Sequence, residues 1–168
     1  TYVAVYHVTV IRNTLNSGGR SFLNNLRLRA DNVDIQDEIL VDGSFSTTAT
    51  NMIVAGNLQL PGITSLTGVQ TPRLSHLEVT GGLYVPSFIG LGLPPASPLT
   101  VLDNSGTINA TAINLSAVEI RNSGTILAEG GDLLVNAGTF LNTGGSLNSV
   151  RNVIVNASVA DLAGLAGT

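Results

Sequence analysis

The chain contains no cysteine and no lysine, and each absence excludes a group of chemistries. Without cysteine there is no disulfide bond, no thiolate nucleophile and no cysteine-ligated metal. Without lysine there is no Schiff-base catalysis, no pyridoxal-phosphate attachment, no Gly-Lys-Ser/Thr phosphate loop and no lysine–asparagine isopeptide crosslink. Any chemistry of this chain must therefore rest on carboxylates, histidines, arginines, hydroxyls or amides.

Charged and aromatic residues are scarce as well. Charged residues make up 11% of the 168 positions and aromatic residues 4%, whereas hydrophobic residues reach 43%. This composition is too hydrophobic for a disordered chain, and a net charge of −4 with scattered arginines argues against nucleic-acid binding. No apolar run approaches the roughly twenty residues of a membrane-spanning helix, so we expect no membrane insertion. The chain begins with Thr1 rather than Met, which favours a processed product, and we expect an extracellular or cell-surface protein.

A short phrase recurs along the chain about every twenty residues. It reads apolar, any residue, apolar, then a break of mostly small or polar residues, then apolar again. Its copies begin at Val33, Met52, Leu77, Ile113, Leu133 and Val153. A repeat this short cannot bury its own apolar side, so successive copies must stack on one another.

The repeat predicts the fold class. No helical period of 3.6 residues is sustained, and the apolar segments are short and bounded by Asn and Gly. We therefore expect an all-β chain folded as a single-stranded parallel β-helix, or β-solenoid, with coils of about twenty residues. Equivalent positions should lie above one another, with Leu133 over Val153 and Val135 over Val155 inside the stack. Glycines at the turns permit positive φ angles at little steric cost.

A second phrase marks the turns of the C-terminal half. It reads Asn104-Ser-Gly106-Thr-Ile108, returns as Asn122-Ser-Gly124-Thr-Ile126, and returns loosened as Asn142-Thr-Gly144-Gly145-Ser-Leu147. A column of Asn104, Asn122 and Asn142 can chain its side-chain amides along the axis. Over residues 103–157 the phrase resembles the haemagglutinin repeats of filamentous-haemagglutinin-type exoproteins, which are two-partner-secreted bacterial adhesins with β-helical repeats. The resemblance implies an extracellular stalk or adhesive fibre, and it identifies no binding residue.

We interpret residues 1–168 as one solenoid domain with four parts. Residues 1–20 form an N-terminal strand and turn, residues 21–85 the first coils, residues 86–98 a proline-rich loop, and residues 99–168 the regular coils. The loop is expected because four of the six prolines lie in residues 86–98, and proline cannot donate to an interior ladder.

One acidic cluster is the only dense set of charges, and it comprises Asp31, Asp34, Asp37, Glu38 and Asp42. Oxygen-only ligands in a turn suit Ca²⁺, which makes these residues a weak calcium candidate. We favour the alternative that they form a solvated face, which keeps the stack soluble and discourages lateral pairing. Apart from this cluster we expect no metal site.

No catalytic constellation is evident, and we expect no enzyme activity and no cofactor. His7 and His76, the only histidines, do not lie near a phrase of catalytic type. The alternative from another class is a polysaccharide-binding or -cleaving β-helix, such as a lyase or a tailspike-like protein. Arg27 and Arg29, close in sequence to the acidic cluster, are the best that the chain offers for it.

The strongest strand signal is the N-terminal segment of residues 1–11. Its apolar residues are the candidate assembly residues: Tyr2, Val3, Val5, Tyr6, Val8, Val10 and Ile11. They can cap the stack of their own molecule, which we favour, or complete a neighbouring copy by strand addition.

The function we expect is thus a non-catalytic extracellular structural solenoid, an adhesin stalk or a self-assembling filament subunit. Its partners would be further copies joined end to end, or a glycan of a host or cell surface.

Deleting residues 1–11 distinguishes the two roles of this segment. If the segment caps its own molecule, the deletion exposes the end of the stack and promotes aggregation. If it is donated to a neighbour, the deletion leaves soluble monomers that no longer polymerise. Burying half of these side chains contributes several kcal/mol at about 25 cal/mol per Å², so unchanged stability together with an unchanged oligomeric state in sedimentation analysis would contradict both roles.

Overall fold

The computed structural model describes residues 5–7, 20–28, 30–60, 74–93 and 98–162. These residues are organised into strands and turns, and no helix lies among them. The strands are β1 (Val5–His7), β2 (Arg20–Leu28), β3 (Asn32–Ile35), β4 (Glu38–Thr47), β5 (Asn51–Val54), β6 (Asn57–Gln59), β7 (His76–Val79), β8 (Gly82–Leu91), β9 (Leu99–Asn104), β10 (Thr107–Asn122), β11 (Thr125–Ala128), β12 (Leu133–Asn142), β13 (Ser146–Ser149) and β14 (Val153–Asp161). The predicted all-β class is confirmed.

All strand pairs are parallel, and they build three ladders that run along one axis. The first ladder contains β1, β3, β5, β7 and β9, then the C-terminal ends of β10, β12 and β14. The second contains the N-terminal parts of β2, β4, β8 and β10, with β6, β11 and β13. The third contains the remaining parts of β2 and β4, and farther along those of β8, β10, β12 and β14. The chain is therefore a parallel β-solenoid, as the repeat predicts, and the solenoid has about six turns.

The coil length follows from the register of the first ladder. The aligned positions are Asn32, Asn51, His76, Val101, Glu119, Thr139 and Val159. Coils in the C-terminal part are thus 18 to 20 residues long, and two earlier coils take 25 residues. The longer coils include residues 61–73 and 94–97, which lie outside the described residues.

Columns of apolar side chains fill the interior. In the first ladder the column is Val33, Met52, Leu77, Leu102, Ile120 and Phe140, and each member is at most 3% exposed. The second ladder contributes Ile39, Leu58, Leu83, Ile108, Ile126 and Leu147, all buried. Burying one such side chain stabilises the fold by about 1.5–3 kcal/mol. Each coil therefore adds to the free energy of unfolding through its own interior side chains, and successive coils add similar amounts.

The recurring phrase of the sequence lies on two different sides of the solenoid. Val33, Met52 and Leu77 are aligned in the first ladder, whereas Leu133 and Val153 are aligned in the third. The predicted stacking of Leu133 with Val153 and of Val135 with Val155 is confirmed. The phrase recurs on more than one side because each ladder needs the same alternation of inward apolar and outward residues.

The asparagine column is confirmed, but it lies in the interior rather than in exposed turns. Asn104, Asn122 and Asn142 are at most 1% exposed. Nδ2 of Asn104 donates to Oδ1 of Asn122 at 2.7 Å, and Nδ2 of Asn122 donates to Oδ1 of Asn142 at 2.7 Å. The chain of bonds ends where Asn142 donates to the carbonyl of Gly145 at 2.7 Å. Oδ1 of Asn104 is buried without a donor, because the preceding coil has Val79 at this position.

Most of the described glycines do not use the positive φ that glycine permits. Within the described ranges only Gly92 and Gly144 have positive φ, and no other residue type does. Another column of glycines is required by close approach instead. A Cβ on Gly81 would overlap the backbone carbonyl of Gly56 one coil earlier, and a Cβ on Gly106 would overlap that of Gly81. Glycine is thus needed where the turns of successive coils touch.

The expected loop over residues 86–98 is wrong for its first half. Pro86 lies within β8, which extends to Leu91. The ladder shifts register opposite Ala110 and Ala112, so the proline occupies a bulge where it does not have to donate a ladder hydrogen bond. Ile89 and Leu91 are buried in the core, whereas Phe88 is 41% exposed.

Replacing Asn122 by Leu tests the contribution of the interior asparagine column. The change leaves Oδ1 of Asn142 without its donor and removes the acceptor of Asn104, so we expect unfolding to become easier by about 2–4 kcal/mol. Chemical denaturation followed by circular dichroism measures it. Asn156→Ala is the control, because Asn156 makes a similar bond to Asn136 in an exposed position, and it should change stability by less than about 0.5 kcal/mol. A neutral or stabilising Asn122→Leu would contradict the role of the column.

Candidate functional site

The solenoid distributes the acidic cluster around one coil instead of gathering it. Asp34 lies in the first ladder and Glu38 in the second, while Asp37 lies between them at the corner and Asp42 follows the second ladder. Asp31, Asp37 and Asp42 are exposed. Nε2 of Gln36 donates to Oδ2 of Asp34 at 2.5 Å. In the described part of the chain no three His, Cys, Asp or Glu side chains are placed to hold a metal ion.

Arg27 and Asp34, two of the residues that the polysaccharide-cleaving alternative draws on, lie on different sides of the solenoid. Arg27 belongs to the third ladder, in register with Ser46, and is exposed. Asp34 belongs to the first ladder, in register with Ile53. Arg29 lies outside the described residues. The structure therefore does not bring Arg27 and Asp34 together over one groove.

Both histidines, and the described part of the assembly segment, lie in the first ladder. His76 is half-buried in β7, in register with Asn51 and Val101. His7 lies in β1, whose backbone pairs with β3 of the same chain and aligns His7 with Asp34. Of the candidate assembly residues, Val5 and Tyr6 belong to β1, while Tyr2, Val3, Val8, Val10 and Ile11 lie outside the described residues. The assembly role of the segment stays a prediction.

An ion-pair group that sequence reasoning missed lies on the outward side of the first ladder. Nε of Arg121 donates to Oε1 of Glu119 at 2.6 Å, and a second guanidinium nitrogen lies 3.9 Å from Oδ2 of Asp103. The hydrogen bond and the charge of Glu119 raise the pKa of the Arg121 guanidinium. Since Glu78 and Asp103 are adjacent in register, Arg121 offsets a line of negative charge.

One groove lies on the second ladder among the described residues. Its volume is about 270 Å³, and it is lined by Glu38, Ile39, Leu40, Asn57, Gln59 and Tyr84. We call it the Tyr84 groove. The lining comes from β4, β6 and β8 in three successive coils of the second ladder, with Leu40, Gln59 and Tyr84 in one outward column. Leu58 and Leu83 occupy the same position in successive copies of the repeat, and their alignment places Gln59 beside Tyr84.

The C-terminal end of the described stack exposes a second kind of surface. Five of the eight exposed large hydrophobic side chains lie in the last thirteen described residues, and they are Val150, Val153, Ile154, Val159 and Leu162. In the described chain β14 pairs only with β12, and β13 pairs only with β11. The end is thus both apolar and open along its backbone edge.

Comparison with protein-family models, with curated proteins and with solved structures yields no match to this chain. The β-solenoid fold is compatible with the haemagglutinin-type repeat that the sequence resembles. The structure supports this resemblance at the level of the fold only. Among the described residues there is no helix long and apolar enough to cross a membrane.

Calcium addition tests the acidic cluster. Because its carboxylates are spread around the coil, we expect millimolar Ca²⁺ to leave the thermal unfolding midpoint within about 1 °C of its value in a chelator, since only binding to the folded state stabilises it. Scanning calorimetry makes the measurement. A larger rise that disappears in Asp37→Asn would show that these residues hold calcium.

Proposed function

We propose that the chain is a non-catalytic structural β-solenoid that works outside the cell, as a stalk segment of an adhesin or as a subunit of an end-to-end filament. One observation carries this proposal. The last described coil exposes apolar side chains at interior positions that the preceding coils bury completely. The proposed haemagglutinin-type, extracellular role draws in addition on the turn phrase of residues 103–157.

At the C-terminal end of the described stack, side chains of the interior columns are exposed to solvent. Leu133 and Val135 are fully buried, whereas Val153, stacked on Leu133, is 43% exposed. Val155, stacked on Val135, is half-buried. These side chains continue the interior columns and have no further coil above them in the described residues. Covering them with another coil would remove apolar surface from water at about 25 cal/mol per Å².

The backbone edge of the last coil favours the same kind of partner. Strands β13 and β14 each have one ladder neighbour among the described residues, so their other edges offer backbone N–H and C=O groups. A parallel strand with coil spacing satisfies such an edge, as every strand pair in the stack does. The covering element is therefore a further solenoid coil. In a stalk it belongs to the same polypeptide, and in a filament it is the first coil of another copy.

A head-to-tail contact of this kind does not produce a closed oligomer. The two ends of a parallel solenoid differ, so a second copy can add to one end in the same orientation as the coils themselves. Contacts of this type repeat without limit and generate fibres rather than closed dimers. End-to-end growth thus requires no feature beyond the coil-on-coil packing that already builds the chain.

The distribution of charged groups supports a role without catalysis. In the coil of β3 and β4, Asp34 and Glu38 lie on different ladders, and Arg121 is engaged by Glu119. Paired carboxylates for glycoside cleavage need about 5–10 Å separation across one groove. In the Tyr84 groove the only carboxylate is Glu38, so the groove favours saccharide binding over cleavage as the second candidate function.

Val153→Glu tests the end-to-end role. A charge at the exposed end opposes burial under another coil, so the variant should lose fibres or higher oligomers in negative-stain images and sedimentation analysis, while circular dichroism shows a retained fold. Val118→Glu is the matched control, because Val118 is 60% exposed at a corner of an interior coil.

The two forms of the proposal predict different results. A filament subunit assembles as the unchanged chain and as Val118→Glu, but not as Val153→Glu. A stalk segment stays monomeric in all three, and grafting one more coil after residue 162 then raises its thermal stability. Assembly that Val118→Glu disrupts and Val153→Glu does not would overturn end-to-end stacking.

A further inference from the structure

We propose that the Tyr84 groove binds a neutral pyranose unit of a glycan. The groove lies on the second ladder, on the side of the solenoid rather than at its end. It therefore does not depend on end-to-end stacking, and either proposal can fail without the other.

The position of the Tyr84 ring is built into the backbone. A Cβ on Gly82 would overlap the Cε2 atom of the Tyr84 ring and lie 2.6 Å from Oδ1 of Asn57. The ring thus lies across Gly82, against the strand, rather than extending into solvent. It remains 36% exposed and faces the groove as a flat apolar platform. Aromatic rings held in this way pack against the apolar C–H face of a sugar, while the tyrosine hydroxyl remains in contact with water.

The amides beside the ring are available for hydroxyl groups. Asn57 and Gln59 make no side-chain hydrogen bond in the part of the chain that the structure describes. Several outward amides elsewhere are paired along the stack, as in the bond from Asn51 to Asn32 at 2.8 Å and from Asn109 to Glu129 at 2.8 Å. Each amide can donate and accept at once, which matches the paired donors and acceptors of sugar hydroxyls.

The charge near the groove selects against acidic sugars. Glu38 lines the groove and Asp37 precedes it at the corner. A carboxylate accepts hydrogen bonds from neutral hydroxyls, and repels the carboxylate of a uronic or sialic acid. A neutral sugar offers both donors and acceptors to the amides of Asn57 and Gln59, whereas a cation would leave their donors without acceptors.

The size of the groove suits a single pyranose ring. A volume of about 270 Å³ is at the small end of ligand pockets, which run from about 300 to 1,000 Å³. Binding of a single unit is therefore weak. Several copies of the chain on one surface would raise the effective affinity for a repeating glycan.

Amide-resolved NMR titration of the full chain tests the site. The probes are the neutral trisaccharides of glucose, mannose and galactose, with trigalacturonate and trilysine as the acidic and basic counterparts. We expect at least one neutral trisaccharide to shift the amide signals of residues 57–59 and 82–84. We expect no shifts there with trigalacturonate or trilysine.

Three variants separate the groove from the rest of the surface. Tyr84→Ala should weaken binding at least about tenfold. Gly82→Ala keeps the tyrosine but displaces its ring, and should also weaken binding. Asn148→Ala is the matched control, because Asn148 is exposed in the same outward column beyond the groove, and should bind as the unchanged chain does.

Specific outcomes overturn the proposal. Absence of shifts with every neutral probe rules out a neutral-sugar site. Shifts with trilysine or trigalacturonate alone assign the groove to another class of ligand. Neutral-sugar binding that Tyr84→Ala leaves unchanged places the site elsewhere on the chain.

Discussion

The structure depends on one constraint, the parallel backbone hydrogen bonding of each coil to the next at the strand spacing of about 4.8 Å. Because this spacing is the same on all three ladders, residues of equal position lie directly above one another. It follows that Leu83 must lie over Leu58, and that no side chain can intrude where Gly81 and Gly106 touch the preceding turn. The interior columns, the glycine column and the groove are all consequences of that alignment.

The same alignment decides how polar groups are accommodated. Inside the stack an isolated asparagine would be costly, but a column of them satisfies itself, as the bonds between Asn104, Asn122 and Asn142 show. At Val79 the column changes to apolar residues, and there one oxygen of Asn104 is left without a donor. Polar and apolar columns are therefore each stable along their length and least well satisfied at the junction between them.

The solenoid offers two kinds of surface with different uses. Its end continues the core and suits another coil, which is the basis of the proposed stalk or filament role. Its sides present outward columns in which each position can vary without disturbing the core, and one such stretch forms the Tyr84 groove. A structural stack can thus acquire a binding site on its side at little cost to its stability, since Asn57 and Gln59 are exposed.

The sequence by itself determined the fold class, the coil length and the asparagine column, because a short apolar phrase with a near-constant period has few ways to be buried. It did not reveal that the phrases at Val33 and Leu133 belong to different ladders, since all three sides use the same alternation. It also misplaced Pro86, which a bulge accommodates within β8. Only the tertiary structure decided that the acidic residues separate and that Glu38, Asn57 and Tyr84 converge, because the corners and coil lengths set which outward residues become neighbours.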